Sequence, residues 1–360
     1  MLRLKRPSHS AHISTQFWFI LTVLGIGVLI AIIFSVSVGA VAIPFGRVVQ
    51  IILFHLLPSN TLTTPWTPVE ERIVWVFRLP RVLLAAIVGA ALSVSGATLQ
   101  AVARNPLADP FIFGVSYGAT VGAVLVLTLG SRAFGELSLS VAAFIGALIA
   151  MLLVYFLAQQ QGRVTPLRLV LAGVALSYVL SSITSYLVLR ASQPGNTSVS
   201  LVLSWLAGSF GRARWEHLGI PAIAVVVLTG YLILQSRQLN ALLMGDESAV
   251  GLGVNLEVFR LQLFVITSLL VGVVVAISGA IGFVGLMIPH MARMGVGSDH
   301  RRVLPIAALG GGLLMVLVDL IGRIAVAPEE LPVGIVTAVL GGPFFLWLLR
   351  HRSGVGGGMT

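Results

Sequence analysis

Ten stretches of this chain are apolar over about the length that a helix needs to cross a membrane. Crossing about 30 Å of hydrocarbon takes about 20 mostly apolar residues. The breaks between the stretches are rich in proline and small polar residues, as in ARNPLADP and APEELP. The predicted spans are residues 17–38, 82–102, 111–129, 138–158, 167–189, 217–235, 261–279, 281–296, 304–326 and 333–349. A shorter apolar stretch at 200–211 predicts a surface or re-entrant helix.

The composition excludes a soluble fold. Of the 360 residues, 57% are hydrophobic and only 9% are charged, whereas a soluble domain carries about 25% charged residues. Cysteine is absent, which excludes disulfides, thiolate metal ligands and a cysteine nucleophile. The sequence therefore predicts an all-α, polytopic membrane protein with about ten transmembrane helices.

The basic residues predict the orientation of these helices. The net charge is +10 and comes almost wholly from arginine, because Lys5 is the only lysine. In a membrane protein an excess of basic residues indicates topology and contact with anionic lipid, so nucleic acid is not an expected partner. Ten spans place both termini on one side, and that side holds 13 of the 22 basic residues. The positive-inside rule then predicts cytoplasmic termini.

The N-terminal region has features of a secretory signal peptide, with basic residues, an apolar run and Ala40-Val41-Ala42. The run at 17–38 is 22 residues long, which is longer than a cleaved apolar region and suits a retained span. The predicted organisation is a cytoplasmic segment at 1–16, a transmembrane domain at 17–349 and a cytoplasmic tail at 350–360.

An internal repeat divides the transmembrane domain. VGAALSVSGA begins at Val88 and VGVVVAISGA begins at Val271, an offset of 183 residues. Under the ten-span count the copies run in opposite directions, as in the inverted repeats of transporters, whose pathway lies near the repeat interface. Chance similarity between two helices rich in small residues is the alternative. The predicted repeat halves are about 78–190 and 260–349.

Glycines and a proline follow the second copy. Gly279, Gly282 and Gly285 recur every three residues, which predicts one smooth helical strip for close packing. Pro289 removes a backbone hydrogen bond, which a membrane tolerates only where neighbours or a water-filled cavity satisfy the freed group. A tightly packed, broken helix beside a pathway is therefore expected, with the charged stretch at 298–302 on the cytoplasmic side and available to a partner.

Catalytic and metal sites are not predicted. The segment GVSYG at 114–118 fits the G-x-S-x-G nucleophile pattern, but that motif needs a strand-to-helix turn with histidine and acidic partners. Here it lies in an apolar run, His290 is the only deep histidine, and packing is favoured. The seven histidines have no metal-ligand spacing.

Asp319 is the only acid well inside a predicted span, and Arg323 follows four residues later. That spacing lets opposite charges meet on one helix face, so a structural pair is favoured. An ion-coupled carrier usually needs acids buried along its pathway, and such a secondary transporter is the alternative function.

ATP hydrolysis is not expected of this chain. A Walker A motif is absent and would need a lysine that only position 5 supplies. If ATP drives transport, a separate ATPase must hydrolyse it. The segment at 236–260 carries Asp246 and Glu247 between glycines, and is either a solvated connector or a docking helix for a soluble motor.

Several long motifs, in order, resemble the FecCD-type permeases of ABC importers for vitamin B12, haem and ferric siderophores. They run from about Arg78 to Arg350, whereas the first 75 residues match only in character. The motifs are RLPRVLLAAIVGAALSVSGATLQAVARNPLADPFIFGVSYGA, RLVLAGVALS, LNALLMGDESAVGLG, SGAIGFVGLMIPHMARMGVGSDHRRVLP and APEELPVGIVTAVLGGPFFLWLL. The resemblance implies an inner-membrane permease, with no cofactor, that carries a metal chelate, ferric siderophores being the commonest cargo before haem and cobalamin. It also implies a second permease subunit in a homodimer, two cytoplasmic ABC ATPases and a periplasmic substrate-binding protein.

The resemblance further implies three sets of site residues. Docking of the binding protein is implied for Arg78, Arg81 and Arg323, with interfacial snorkelling as the alternative for each. The implied cytoplasmic gate comprises Asn105, Pro106, Leu107, Thr165, Pro166 and Leu167. The implied ATPase-coupling segment comprises Gly245, Asp246, Glu247, Ser248, Ala249 and Gly253. Pro166 and Leu167 replace the small hydroxyl residues of the family's vitamin B12 members, so a detailed gate mechanism does not transfer.

Overall fold

The computed structural model describes residues 9–39, 41–57, 65–129, 137–160, 163–191 and 198–352. Its α-helices are α1 (His9–Ser37), α2 (Phe45–Leu56), α3 (Pro68–Glu71), α4 (Leu79–Val102), α5 (Val115–Leu129), α6 (Leu137–Ala158), α7 (Pro166–Ala191), α8 (Ser198–Leu206), α9 (Gly219–Leu234), α10 (Ser236–Leu243), α11 (Asp246–Gly251), α12 (Leu256–Ser278), α13 (Val284–Val296), α14 (His300–Ile324) and α15 (Val333–Arg352). A π-helix, Arg72–Arg78, leads into α4, and a 3₁₀-helix, Trp215–His217, precedes α9. Gln159–Gln160 and Arg163–Val164 form a two-residue antiparallel pair.

A helix lies at each of the ten predicted spans, so the all-α membrane architecture is confirmed. Seven of the described helical segments are long and apolar enough to cross a membrane. The helices α5 and α13 begin later than their predicted spans, and α13 has 13 residues, or about 20 Å at 1.5 Å per residue. The predicted short stretch at 200–211 is helical only to residue 206, within α8, which has nine residues and is too short to cross. The predicted terminal segments lie partly outside the described residues, at 1–8 and 353–360.

The helix α4 forms the centre of the bundle. Of its 24 residues, 19 are buried, and a Cβ added at Gly89 or Gly96 would overlap the carbonyl oxygen of Gly311 in α14 or Gly285 in α13. Small residues let transmembrane helices approach backbone to backbone. By contrast, α1, α7 and α9 expose many apolar side chains, as helices facing lipid do. The glycines of α4 therefore lie at its crossings with α13 and α14.

The predicted glycine strip is wrong, because residues 279–283 are not helical. Gly285 packs on α4, whereas a Cβ at Gly279 would overlap the carbonyl oxygen of Trp205. The nearest atom to a Cβ at Gly282 would be in the ring of Phe111, at 3.6 Å. The three glycines therefore serve three different neighbours.

Ionic contacts define the two ends of the bundle. Asp246 bonds Arg104, two residues after α4, at 3.0 Å and Arg260, near the start of α12, at 2.8 Å. The end of α4 and the start of α12 therefore lie together, so the two repeat copies run in opposite directions. We call this the Asp246 end. The opposite end, where Arg81 of α4 bonds Asp319 of α14, is the Asp319 end. The extents of the two repeat halves remain a prediction.

Candidate functional site

The break between α12 and α13 is the centre of the candidate site. Gly279 has a φ of +73° and Phe283 a φ of +68°, and the left-handed conformation at Phe283 costs about 1–2 kcal/mol. Two hydrogen bonds to its carbonyl oxygen, from the amides of Leu286 at 3.1 Å and Met287 at 2.9 Å, start α13. The ring of Phe283 lies against Gly341 of α15, where a side chain would overlap it. Packing therefore holds Phe283 in a conformation that its side chain disfavours.

A neighbouring backbone segment satisfies the polar groups at this break. The amide of Ser209 donates to the carbonyl oxygen of Ser278 at 2.8 Å. The amides of Val333 and Gly334, at the start of α15, donate to Gly208 and Ala207 at 3.1 and 3.0 Å. Non-helical backbone at membrane depth requires such partners or a water-filled cavity. The segment after α8 thus joins the end of α12 to the start of α15.

A cleft of about 790 Å³ opens beside the break, within the usual size of ligand sites, about 300–1,000 Å³. Segments that follow both repeat copies, 109–112 and 280–286, contribute to it. Its walls are small or apolar apart from one acid. They are formed by Asp109, Phe111, Ile112, Leu206, Ala207, Ala280, Gly282, Phe283, Leu286, Gly334, Ile335, Ala338 and Val339.

Asp109 is the charged side chain in this wall, and it is 6% exposed. One carboxylate oxygen accepts a hydrogen bond from the amide of Phe111 at 2.8 Å. The other lies 3.2 Å from where a Cβ of Gly285 would stand, and Gly285 packs against Leu92 and Gly96 in the middle of α4. The chain therefore turns back into the bundle after α4 and carries Asp109 to mid-helix depth.

Asp319 is therefore not the only acid deep in the bundle, although it is the only one well inside a predicted span. The sequence predicts that Asp109 lies in a connection between two spans, at the membrane surface, because ARNPLADP contains two prolines and an asparagine. The available signal was the stretch that follows, since FIFGVSYGA continues apolar with no charged residue to mark a return to the membrane surface.

At the Asp319 end, the predicted pair of Asp319 and Arg323 is present and has a third member. Asp319 is fully buried and accepts from Arg323 Nε at 3.1 Å and from Arg81 Nε at 2.8 Å. Arg81 Nη1 also bonds both carboxylate oxygens of Glu330, at 3.0 and 2.8 Å. Arg81 thus joins a buried acid of α14 to an acid in the segment before α15.

The other guanidinium groups at this end reach the C-terminus of α1. Arg323 donates to the carbonyl oxygens of Ser35 at 2.8 Å and Val38 at 3.0 Å, and Arg78 donates to Val36 at 2.8 Å. Helix C-terminal carbonyls lack partners within their own helix and attract cations. The structure therefore gathers the three predicted docking arginines at one end, each bonded to protein atoms. Their docking role remains a prediction.

At the Asp246 end, ionic contacts connect the two predicted gate segments. Arg104 precedes the first segment, and Arg260 donates to the carbonyl oxygen of Val164, just before the second, at 2.7 Å. Both arginines bond Asp246, so the carboxylate of Asp246 links the two gate segments. At this end lie the six predicted gate residues: Asn105, Pro106, Leu107, Thr165, Pro166 and Leu167.

The predicted coupling segment forms a turn, α11 and a second turn. Gly245 and Gly253 have φ values of +109° and +82°, which glycine tolerates without a Cβ clash. Ala249 is buried, whereas Glu247 and Ser248 are exposed. Asp246 is 36% exposed and bonds two arginines of the chain itself, so Glu247 and Ser248 are the more accessible polar side chains of this segment.

The charged stretch at 298–302 also makes internal contacts. Asp299 accepts from the amide of Arg301 at 3.0 Å and from Asn240 Nδ2 at 2.8 Å, while Asn240 Oδ1 accepts from the amide of His300 at 3.0 Å. Burial raises the pKa of Asp299, but these bonds and the charges of Arg301 and Arg302 lower the pKa overall. The stretch thereby fastens α14 to α10, an arrangement not predicted from sequence.

The nucleophile pattern at 114–118 is a packing element, as favoured from sequence. Ser116 is buried in α5, and its hydroxyl has no hydrogen-bond partner among the described residues. A Cβ at Gly118 would overlap the carbonyl oxygen of Gly146 in α6. A serine nucleophile needs a base within hydrogen-bond reach, so these small residues serve the contact between α5 and α6.

Comparison with known proteins gives relatives over most of the chain. The cobalamin import system permease protein BtuC of Halobacterium salinarum is 44% identical over 281 residues, covering 78% of this chain and 74% of that protein. The hemin transport system permease protein HmuU of Yersinia pestis is 42% identical over 303 residues, covering 82% and 90%. A solved inward-facing ABC transporter of metal-chelate type is 31% identical, with a TM-score of 0.79, covering 92% of this chain and 99% of that one.

The profile of the FecCD transport family matches residues 27–351. This match extends the resemblance noted from sequence, which began at about Arg78, to include the C-terminal part of α1, residues 27–37. The contacts of Arg78 and Arg323 with the end of α1 give a structural reason for that extent. The chain belongs to the FecCD transport family.

Proposed function

We propose that this chain is the membrane permease subunit of an ABC importer, and that the cleft beside residues 279–283 is its share of the path for a metal chelate. The observation that carries the proposal is the break itself, an interrupted helix whose unwound backbone borders a cleft at membrane depth. Transporters form their substrate sites at such interruptions. The names of the relatives, which specify cobalamin and hemin, support a chelate as the cargo.

The open side of the cleft supports a second copy of the chain as partner, because two copies related by a two-fold axis can enclose one path. The importer lies in the inner membrane in this proposal. Its Asp319 end faces a periplasmic substrate-binding protein, and its Asp246 end faces two cytoplasmic ABC ATPases. An ion-coupled carrier is not favoured, since the named relatives are permeases of import systems.

Filling the cleft tests its role as the path. Val339 lines the cleft on α15 and is 66% exposed, whereas Val226 lies on α9 and is 72% exposed. We expect Val339→Trp to abolish chelate uptake in proteoliposomes with the ATPase and binding protein, because the indole occupies the cleft. Val226→Trp, an identical change at a similarly exposed site, should leave uptake unchanged.

Light scattering of each purified variant separates a blocked path from a lost dimer. Uptake at the wild-type rate by a dimeric Val339→Trp protein would exclude the cleft as the path. The chelate that the binding protein retains on purification identifies the cargo, and retention of no metal chelate would contradict the proposed substrate class.

The ATPase contact can be tested on one exposed side chain. Glu247 is exposed and takes no part in the ionic contacts of Asp246 with Arg104 and Arg260. Glu247→Lys leaves those contacts in place, so we expect loss of ATPase co-purification with unchanged thermal stability. Asp246→Asn instead weakens the links to Arg104 and Arg260 and should lower thermal stability. Full ATPase recovery with Glu247→Lys would mean that α11 is only a connector.

A further inference from the structure

We infer that Glu330 competes with an acidic group of the docking partner for Arg81. Glu330 occupies the outer face of Arg81, and the partner's carboxylate must displace it. The inference rests on the proposed function, in which the Asp319 end meets a binding protein. Glu330 thus sets how readily such a partner docks, and the partner is one that presents a carboxylate.

The two acids on Arg81 differ in their access to water. Asp319 is 0% exposed and binds Arg81 Nε at 2.8 Å, whereas the Glu330 side chain is 48% exposed and binds Arg81 Nη1. Removing Asp319 from the network would leave buried charges uncompensated. Glu330 is half exposed and partly hydrated, so it moves into water at a smaller cost than Asp319 would, and a partner's carboxylate can then cover the largely buried Arg81. Glu330 is therefore the exchangeable member.

The charges of the cluster favour exchange with another acid. Arg78, Arg81 and Arg323 carry three positive charges, and Asp319 and Glu330 carry two negative charges. When Glu330 leaves, one negative charge faces three positive ones, so the vacated face of Arg81 attracts a carboxylate. A carboxylate can reproduce the two hydrogen bonds that Arg81 Nη1 makes with Glu330.

The exchange also acts on the segment that begins α15. Glu330 precedes Leu331, whose amide donates to Gly322 at 2.9 Å, and Val333, whose amide donates to Gly208 at 3.1 Å. Gly334, the next residue, lines the cleft. The Glu330 side chain adds a further tether to this segment, so its release leaves the backbone bonds to hold the chain before a wall of the cleft, which gives docking a physical route to that wall.

Glu330→Gln in the complete transporter tests the inference, with Glu329→Gln as the matched control that makes the same charge change one residue away. The probe is the substrate-binding protein that supports uptake by the wild-type transporter, and its association rate is measured on nanodisc-embedded transporter at low salt. We expect the rate to rise roughly threefold or more for Glu330→Gln and to change less for Glu329→Gln. Hydrogen exchange of residues 325–335, without partner, should be faster in Glu330→Gln only.

Equal rates for the two variants would reduce the effect to general charge steering and overturn the inference. An unchanged or lower rate for Glu330→Gln would overturn it as well, as would unchanged hydrogen exchange. If no binding protein docks on the wild-type transporter or supports its uptake, the proposed function fails, and the hydrogen-exchange comparison still decides whether Glu330 restrains the segment.

Discussion

Replacing Asp319 with asparagine is expected to destabilise the protein by about 3–5 kcal/mol, the usual cost of removing one partner from a buried ion pair. The change keeps the shape of the side chain but removes the buried carboxylate that Arg81 and Arg323 share. Two guanidinium groups would then lie close together with a neutral amide between them. The amide also supplies one oxygen where the carboxylate supplies two.

Thermal unfolding of the detergent-solubilised protein measures this loss. Glu330→Gln is the control, since it removes from the same arginine a carboxylate that is 48% exposed and partly hydrated, so we expect a smaller loss than for Asp319→Asn. Adding Arg81→Gln to Asp319→Asn should recover part of the loss by removing one unpaired charge. Equal stability of Asp319→Asn and Glu330→Gln would mean that the buried network does not hold α4, α14 and α1 together.

Gly96→Ala is expected to separate α4 from α13, at a cost of about 1–3 kcal/mol for overpacking, and to abolish uptake. The added Cβ would overlap the carbonyl oxygen of Gly285, which is backbone and cannot turn aside as a side chain can. Because Gly285 also lies against Asp109, the displacement would reach the wall of the cleft.

Gly230→Ala in α9 is the matched control, since a Cβ there meets no atom within 4 Å. It should be neutral or slightly stabilising, because glycine within a helix costs about 0.5–1 kcal/mol relative to alanine. The two variants are compared for unfolding temperature and for uptake. If Gly96→Ala matches Gly230→Ala in both, α4 and α13 are not held at backbone contact.

Hydropathy predicted the helices well because length and apolar composition suffice to identify a membrane span. Hydropathy placed the start of the helix too early at 111–129 and 281–296, where the first residues are apolar but not helical. Residues 279–283 adopt unwound backbone that a neighbouring segment satisfies, and an apolar sequence does not reveal whether its hydrogen bonds lie within one helix or between segments.

The candidate site was predicted only where its contacts are local. The pair of Asp319 and Arg323 follows from their four-residue spacing. The contact of Arg81 with Asp319 joins residues 238 positions apart, and no pattern within one segment encodes it. Asp109 was missed because its depth depends on how the chain turns after α4. The implied docking, gate and coupling roles remain predictions.

The hydrogen bonds between the segment after α8 and the interrupted helix join main-chain groups, from Ser209 to Ser278 and from Val333 and Gly334 back to Gly208 and Ala207. Main-chain groups are common to all amino acids except proline, whose nitrogen has no hydrogen. Evolution can therefore change Leu206, Ala280, Ile335, Ala338 or Val339 without removing any bond that maintains the interruption. Such a scaffold can diversify towards new cargoes by ordinary point mutation, while its architecture is inherited unchanged.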